Sequence, residues 1–228
     1  MKKLNAIITM IFLACTVSLS YSQVMNFETL KREDRHIATL HAGLEYGLTF
    51  GAGYAYHLKS RLPILLQAEY SLPAGKKLLD DFKVKIGAEV CALQLKNFRI
   101  AGRVQGVFRR TQNDFVRLLN FGSDMSVTAG YYKRKWFAAG EIGFDKAIVT
   151  HFKHFSSYKD VYPMVQDGWF DPSTGGNFYY GLRAGCSIKR NDIYIKAGRT
   201  LTQNFSEDLL PFYAELGYTI KFNKGAGK

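Results

Sequence analysis

Residues 211–222 read PFYAELGYTIKF, and in an extended strand their side chains divide into two very different faces. Successive side chains of a strand point to opposite sides, so every second residue shares a face. One face is wholly apolar and carries Phe212, Ala214, Leu216, Tyr218, Ile220 and Phe222. The other face is mostly polar and carries Tyr213, Glu215, Gly217, Thr219 and Lys221. The pattern predicts a strand whose apolar side begins and ends in phenylalanine.

The whole chain is typical of one strand-rich domain behind a leader. It has 228 residues, 47% of them hydrophobic and 14% aromatic, with 21 glycines and only 5 prolines. Residues 1–22 have a basic start, an apolar run at 7–13 and small residues at Ser20 and Ser22, which is the layout of a secretory signal peptide. We predict cleavage after Ser22, with lipidation of Cys15 as the alternative. Without the leader's two lysines the formal charge falls from +12 to +10, because 12 minus 2 is 10.

The segment after the leader contains no run that approaches the ~20 apolar residues of a membrane-spanning helix. If the mature chain enters a bilayer it must therefore close into a barrel, because only closure then satisfies every backbone group in lipid. Cys91 and Cys186 lie in different predicted strands and have no metal or redox spacing. We interpret them as packing positions.

The alternation of the last strand recurs through a predicted domain at 36–222. Residues 23–35 are polar and of mixed charge and are predicted to form a solvated lead-in, and 223–228 form a tail. The ten predicted strands are 36–45, 48–58, 62–72, 82–93, 98–110, 125–132, 136–144, 178–188, 193–201 and 211–222. The number of strands depends on whether the chain turns at Gly47, because without that turn the first two strands would be one. The connections at Lys59, Lys96, Lys133 and Lys189 are two to four residues long, and loops of about nine to nearly thirty residues are predicted between them.

This organisation resembles that of small bacterial outer-membrane β-barrel proteins. Such proteins end in a strand of alternating apolar residues with a terminal aromatic, as in Tyr218-Thr219-Ile220-Lys221-Phe222, although six residues follow Phe222 here. They also alternate short periplasmic turns with longer outer loops. The resemblance implies an all-β fold, a single antiparallel transmembrane barrel of ten strands with eight or twelve as alternatives, integral to the outer membrane after export. We expect outer-membrane lipids as partners, another envelope protein as an alternative partner, no nucleic acid, no cofactor, and a monomer or a subunit of an envelope complex.

The inward face of the predicted barrel carries six acids and eight bases. They are Glu45, Glu69, Glu89, Glu141, Asp145 and Glu215, with Lys83, Lys85, Arg99, Arg103, Arg109, Arg183, Lys196 and Lys221. A ten-stranded lumen is closer to the size that side chains fill than to the aqueous channel of about 16 to 18 strands. Charges in so narrow a space are costly unless they are paired. We therefore predict an ion-paired plug, with a narrow anion-preferring pore as the alternative.

The four short turns carry eight basic residues, which are predicted to collect on one periplasmic rim. They are Lys59, Arg61, Lys96, Lys133, Arg134, Lys135, Lys189 and Arg190. The simpler interpretation is that turns are hydrophilic. The sharper hypothesis is that the rim holds anionic phospholipid headgroups or an acidic partner, because each surface cation near an anionic membrane contributes roughly 1 kcal/mol.

The longest predicted connection, at 148–176, is aromatic throughout. Its ring-bearing residues include Phe152, Phe155, Tyr158, Tyr162, Trp169 and Phe170. Long loops on a rigid scaffold often carry function. We therefore predict that this segment is a recognition loop.

Signals for an enzyme are weak. His151 and His154 have a spacing that suits a metal, but the glutamate of a zinc-protease helix is missing, so no metal site is predicted. A triad is recognised by geometry rather than by sequence position, and no spacing here demands one. The side chains from which a triad at a rim could be assembled are His41, His57, Glu45, Ser60 and Ser71. We predict a non-catalytic structural, binding or assembly role, with a hydrolase acting on lipid or peptide at the outer rim as the alternative.

Overall fold

The computed structural model describes residues 24–44, 47–74, 80–171, 176–202 and 207–223, without the side chains of 207–210. The described chain forms one antiparallel sheet, and ten of its strands close into a barrel. The barrel strands are β1 (His36–Leu44), β2 (Leu48–His57), β3 (Ile64–Pro73), β4 (Phe82–Leu95), β5 (Phe98–Gln112), β6 (Val116–Tyr132), β7 (Trp136–His154), β9 (Asn177–Ile188), β10 (Asn191–Thr202) and β11 (Glu207–Phe222). A helical turn, α1 (Ser156–Lys159), and a short strand, β8 (Gly168–Phe170), lie between β7 and β9. The predicted signal peptide with Cys15, and the tail beyond residue 223, lie outside the described residues.

The barrel closes between its first and last strands. β1 pairs with β11 from His36↔Phe222 to Leu44↔Ala214, while β8 adds to β7 outside the ring. The prediction of ten barrel strands is confirmed, including the division between β1 and β2. The β2–β3, β4–β5, β6–β7 and β9–β10 turns lie at the end of the barrel that holds the first and last residues of the sheet; we call this the turn end and the opposite end the loop end. No helix in the described ranges is long and apolar enough to cross a membrane.

The prediction of a long connection between the strands at 98–110 and 125–132 is wrong. β5 continues to Gln112 and β6 begins at Val116, so only 113–115 connect them. Asn113 closes this turn, because its side-chain oxygen accepts hydrogen bonds from the backbone N–H groups of Phe115 and Val116 at 2.9 and 2.8 Å. The apolar residues Val116, Leu118 and Leu119, which fall in this predicted connection, are instead paired within the sheet. The connections at the loop end are therefore not all long.

The predicted connection at 148–176 also begins as strand, since β7 continues to His154. Strands β5, β6 and β7 contain 15, 17 and 19 residues. A tilted strand needs only about 9–11 residues to cross a bilayer. This side of the barrel therefore continues beyond the membrane band as an extension of the sheet, with β8 along its edge.

The outer face of the barrel is apolar between two belts of aromatic rings. At the loop end, Tyr70, Phe82, Phe108, Phe121 and Trp169 form a row whose successive ring centroids lie 5.6, 5.8, 4.8 and 5.8 Å apart. The turn-end belt contains His36, Tyr54, Tyr56, Phe98, Tyr131, Trp136 and Phe222. The outward side chains between the belts are exposed and apolar, as barrels present to lipid.

The spacing of the two belts matches the thickness of a bilayer. Phe98 and Phe108 mark them on β5 and lie ten residues apart. At ~3.3 Å per residue and a tilt of ~40°, ten residues span ~25 Å along the barrel axis. This is the height of the apolar band that a membrane barrel needs.

The prediction of a solvated lead-in at 23–35 is wrong for its first part. Val24, Met25, Asn26 and Phe27 are buried at the turn end of the lumen. The Phe27 ring packs edge-on against Tyr132, with centroids 5.6 Å apart. The apolar side chains on the inner face near this end give the segment a place to bury its own, and this gain outweighs the local polarity of the sequence.

Candidate functional site

The charged residues predicted to face the lumen occupy three levels of the barrel interior. At mid-height lie Glu69, Lys85, Glu89, Arg103, Glu141, Arg183, Lys196 and Glu215, all of them buried. At the loop-end mouth lie Lys83, Arg109 and Asp145. At the turn end lie Arg99 and Lys221. Glu45 lies outside the described residues.

Glu141 is the centre of the mid-height group, because cations from three other strands converge on its carboxylate. Arg103 Nη2 and Arg183 Nη2 lie 3.0 and 2.9 Å from its Oε1, and Lys196 Nζ lies 2.7 Å from its Oε2. None of the four residues is more than 7% exposed. We call these four residues the Glu141 hub. It ties β5, β7, β9 and β10 together across the lumen.

A further buried ion pair lies within the mid-height group, on the loop-end side of the Glu141 hub. Lys85 pairs with Asp124, whose Oδ1 also accepts a hydrogen bond from the Tyr179 hydroxyl at 2.7 Å. Asp124 is missing from the sequence prediction because the strand that carries it was expected to begin one residue later. The alternation of Asp124, Ser126 and Thr128 is the signal that would have included it.

Neutral hydrogen-bonding side chains fill the rest of this layer. Gln67 Nε2 donates to Glu89 Oε2 at 2.8 Å, and Gln105 Nε2 donates to Glu69 Oε2 at 3.3 Å. All four side chains are buried. A continuous column of water through the barrel would leave such side chains solvent-exposed. Their burial therefore indicates that the lumen is filled at mid-height.

The turn end of the lumen holds an apolar layer beside its charged residues. It consists of Val24, Met25, Phe27, Ile37, Ala55, Leu65, Cys91, Ala101, Tyr132, Phe137, Ala139 and Tyr194. Three of these residues come from the N-terminal segment. Cys91 belongs to this buried layer, whereas Cys186 lies exposed on the outside of the barrel.

Asn26 fixes the N-terminal segment to the barrel wall. Its backbone N–H donates to Asp192 Oδ2 at 2.9 Å, and its side-chain nitrogen donates to the Lys133 carbonyl at 2.6 Å and to Ser187 Oγ at 2.8 Å. Asp192 also pairs with the fully buried Lys221 at 2.6 Å. The segment therefore lies across the turn end of the lumen, bonded to both the β6–β7 and the β9–β10 turns. We call residues 24–27 the N-terminal plug.

Arg99 and Lys221 do not join the central network that the sequence predicts. Arg99 pairs instead with Glu28 at 2.5 Å, and Lys221 pairs with Asp192. Sequence reasoning missed both acidic partners, because Glu28 was assigned to a solvated lead-in and Asp192 to a turn.

The histidines assemble no triad at the outer rim in the described part of the chain. His41 Nδ1 lies 3.3 Å from the Tyr194 hydroxyl and 3.6 Å from Glu215 Oε1, but this group is buried at mid-height. His57 Nδ1 contacts a backbone carbonyl, and His154 contacts a carboxylate. Within the described ranges no group of three metal-ligating side chains is present.

The loop-end mouth contains a cavity of about 550 Å³ on the inner face of the sheet extension. Arg109, which pairs with Asp145, lies at its base, and Phe152 and Phe170 contribute rings to its wall with their centroids 5.7 Å apart. Asn120 Nδ2 donates to Thr150 Oγ1 at 2.8 Å beside them. Aromatic and hydrogen-bonding groups thus line a recess that is open to the outside.

The predicted recognition residues are divided between the strands and residues 155–167, which join β7 to β8 and which we call the cap. Phe152 belongs to β7, and Trp169 and Phe170 belong to β8, so these three lie on the sheet extension rather than on a loop. Phe155, Tyr158 and Tyr162 lie in or beside α1, where Tyr158 and Tyr162 have ring centroids 5.0 Å apart. The predicted loop is shorter than expected because β7 continues to His154 and pairs with β8.

Asp167 holds the cap against the end of β7. Its Oδ1 accepts the His154 backbone N–H at 2.8 Å, and its Oδ2 accepts Lys159 Nζ at 2.6 Å. The backbone hydrogen bond from His154, followed by the side-chain bonds from Lys159 and His154, holds the pKa of Asp167 well below its usual range. A carboxyl with a lowered folded pKa stabilises the folded cap fully above its unfolded pKa, and this stabilisation is lost as the pH falls through the folded pKa.

The cap is expected to loosen below about pH 4, where the unfolded Asp167 carboxyl begins to bind protons. Trp169 reports this change, because its ring packs on His151 with centroids 4.9 Å apart. The test uses a Trp136→Phe background, in which Trp169 is the remaining tryptophan. Protonation of Asp167 should leave the Trp169 fluorescence unchanged between pH 7 and 5 and should shift it on further acidification. Asp167→Asn should remove the acid step, whereas Asp160→Asn should keep it. Identical profiles for Asp167→Asn and the parent would contradict this role.

The eight predicted rim residues are all exposed in the turns of the turn end. Arg190 Nε lies 3.4 Å from Asp34 Oδ1, and Lys133 Nζ lies 5.6 and 6.0 Å from the Tyr131 and Trp136 ring centroids. The Lys133 contacts place this cation directly beside the turn-end aromatic belt.

Comparison with known proteins yields similarity of fold only. No family model matches the chain, and no curated protein matches it. A solved structure described as a KdgM porin in complex with disordered oligogalacturonate aligns over 82% of this chain and 99% of that chain, with a TM-score of 0.41 and 8% identity. A bacterial polysaccharide outer membrane secretin aligns over 84% of this chain and 99% of that chain, with a TM-score of 0.26 and 9% identity. By its closed sheet and its apolar outer face between aromatic belts, the chain is a ten-stranded antiparallel β-barrel of the membrane-spanning kind.

Proposed function

We propose that this protein is a non-conducting outer-membrane barrel that acts as a rigid binding scaffold, with its recognition surface at the loop end. The observation that carries the proposal is the Glu141 hub, in which one carboxylate holds three cations in a water-poor lumen. A pore for solutes would need to keep its narrowest level hydrated.

The energetics of the hub favour a permanently closed lumen. Removing one partner from a buried ion-pair network leaves an uncompensated charge and costs about 3–5 kcal/mol. A permeating anion would have to displace Glu141 from three cations in the same place. The N-terminal plug adds a second barrier at the turn end, so opening only one of them would not create a path.

The loop end supplies the features of a binding surface. The sheet extension and cap carry exposed aromatic side chains, and the cavity beside Phe152 and Phe170 offers both rings and polar groups. We propose that this surface recognises another envelope protein or a molecule outside the cell. At the turn end, the eight rim cations are proposed to contact anionic phospholipid headgroups.

Planar-bilayer recording tests the closed state. The purified protein is expected to show no steady conductance steps, because both barriers are intact. Deleting the N-terminal plug alone should leave it silent. Combining that deletion with Arg103→Ala, Glu141→Ala and Arg183→Ala should produce ion flow, because the hub is then removed as well.

Insertion of every variant is checked by its heat-dependent shift in gel mobility and by reconstitution into vesicles. Steady ohmic channels from the unmodified protein would overturn the proposal and favour the narrow pore. This outcome does not depend on whether the opened variant folds.

A further inference from the structure

The outer face of the sheet extension carries three cations immediately beyond the loop-end aromatic belt. Arg110 lies two residues beyond Phe108 on β5, Arg117 lies on the neighbouring β6, and Lys153 lies on β7. Strand pairing places Arg117 opposite Lys153 and opposite Gln112, so Arg110 is its diagonal neighbour. All three occupy the face opposite to the mouth cavity, since the residues that alternate with them line that cavity. We call them the outer basic cluster.

In the described part of the chain, Asp81 lies beside Arg110 and accepts the Gln112 backbone N–H at 3.0 Å, without pairing with the outer basic cluster. None of its three members makes an ion pair there, and Arg110 has only the Gln112 side-chain oxygen as a hydrogen-bond acceptor, at 2.8 Å. The Nε atoms of Arg110 and Arg117 are buried without an acceptor among the described residues. Like charges directly opposite on neighbouring strands, as in Arg117 and Lys153, destabilise a sheet. An arrangement that costs stability and leaves donors unused points to an external anion.

The position of the cluster identifies the anion as a lipid headgroup. Two to four residues beyond the aromatic belt correspond to about 5–10 Å along the axis of a tilted strand. The polar layer on each side of a bilayer is about 5–8 Å thick. The cluster therefore lies at headgroup height on the loop-end side of the membrane.

An apolar groove runs down the outer surface below the same strands. Its volume is about 580 Å³, and it is lined by Val104, Met125, Val127, Ile142, Phe144 and Phe178, together with Gly102. A Cβ added at Gly102 would meet no atom within 4 Å. This glycine is therefore not required by close packing of the barrel, and its missing side chain deepens a groove that opens to hydrocarbon.

We propose that the outer basic cluster and the groove together form a site for a phosphorylated glycolipid of the lipid A type. The three cations bind its phosphate groups, and one acyl chain lies in the groove beside Gly102. Arginine guanidinium groups form paired hydrogen bonds to phosphate oxygens, which suits the Nη groups of Arg110 and Arg117, because only their Nε atoms are buried. The inference requires the barrel to be in its membrane and is independent of whether the lumen conducts.

The test measures binding of bis-phosphorylated lipid A to the full-length mature protein in detergent micelles by native mass spectrometry. The variant Arg110→Gln, Arg117→Gln, Lys153→Gln is expected to bind about 100-fold more weakly, because each cation near an anionic lipid surface contributes roughly a factor of five. The control Lys31→Gln, Arg32→Gln removes basic charge at the turn end from residues that belong to neither the rim nor the outer basic cluster, and it should bind as the parent does. Gly102→Leu should weaken binding several-fold without affecting the fold, since the space is open.

Two further probes distinguish the sources of phosphate. Dephosphorylated lipid A should bind as weakly as the cluster variant does, and millimolar inorganic phosphate should not displace the lipid. Equal losses in the cluster variant and the turn-end control would overturn the site, as would full binding of the dephosphorylated lipid. Displacement by inorganic phosphate would replace the lipid with a free-ion site, and unchanged binding by Gly102→Leu would exclude the groove. Unchanged gel mobility shifts verify that each variant is folded.

Discussion

Replacing Glu141 with alanine is expected to destabilise the barrel by about 3–5 kcal/mol, among the largest losses of any single substitution. The change leaves Arg103, Arg183 and Lys196 facing one another with no carboxylate between them. Their mutual repulsion acts in a lumen where water cannot screen it. Guanidinium unfolding in detergent, followed by tryptophan fluorescence, measures the loss.

The matched control is Glu33→Ala at the turn end. Glu33 also faces two cations, with Lys31 at 3.4 Å and Arg190 at 3.7 Å, but its side chain is 55% exposed. Exposed pairs contribute about 0–1 kcal/mol, so this variant should unfold close to the parent. Equal, small effects of the two substitutions would show that the lumen is hydrated and that the hub contributes little.

Replacing Asp192 with alanine is expected to cost a similar amount and also to release the N-terminal plug. Asp192 is the partner of the buried Lys221 and the acceptor of the Asn26 backbone N–H. Without it, the hydrogen-bond acceptors left to Lys221 among the described residues are neutral, namely the Asn26 carbonyl at 3.4 Å and Thr29 Oγ1 at 2.5 Å. Trypsin should then cut after Lys31 or Arg32 much faster than in the parent.

Asn191→Ala is the control for this prediction, because it changes the adjacent residue without removing an ion pair. It should leave both stability and trypsin resistance close to those of the parent. An Asp192→Ala variant that resists trypsin as the parent does would mean that the plug is held by its apolar side chains alone.

The faces of the strands could be predicted from the sequence because alternation is a local signal. Glu215 and Lys221 are buried in the lumen, while Leu216 and Phe222 are exposed on the outside, as residues 211–222 predict. The same alternation places Glu141 and Arg183 on the inner face of the barrel. A lipid-facing surface makes this pattern unusually clear, because its outward residues must be apolar.

The partners of the lumen charges could not be predicted, because they depend on which strands face each other across the barrel. The alternation along each strand places Arg103, Arg183 and Lys196 inside the barrel, but it does not show that all three contact Glu141. The same limit applies to Asn26, which contacts Asp192 across 166 positions of sequence. Contacts at this range follow from closure of the sheet rather than from any local motif.

The ends of the strands were predicted least well, for a physical reason. Beyond the membrane band the outer face need not be apolar, so the alternation ends while the backbone pairing continues. At 116–119 the sequence Val-Arg-Leu-Leu has no period of two, yet it pairs with both neighbours. Arg117 of the outer basic cluster lies in this stretch, and Arg110 and Lys153 lie beside it on the neighbouring strands.

The most direct test of a filled lumen is the reactivity of a cysteine placed at Ser126 with a charged, water-soluble methanethiosulfonate reagent. Ser126 faces the interior opposite Arg103, is 5% exposed, and its hydroxyl makes no hydrogen bond in the described structure, so Ser126→Cys should not disturb the fold. In vesicles, with Cys186 replaced by alanine, this thiol is predicted to remain unmodified until the protein is unfolded, while a Ser157→Cys control on the exposed cap reacts within seconds. Modification of the Ser126→Cys thiol in the folded protein as fast as the cap control would place water at the level of the Glu141 hub and contradict the account.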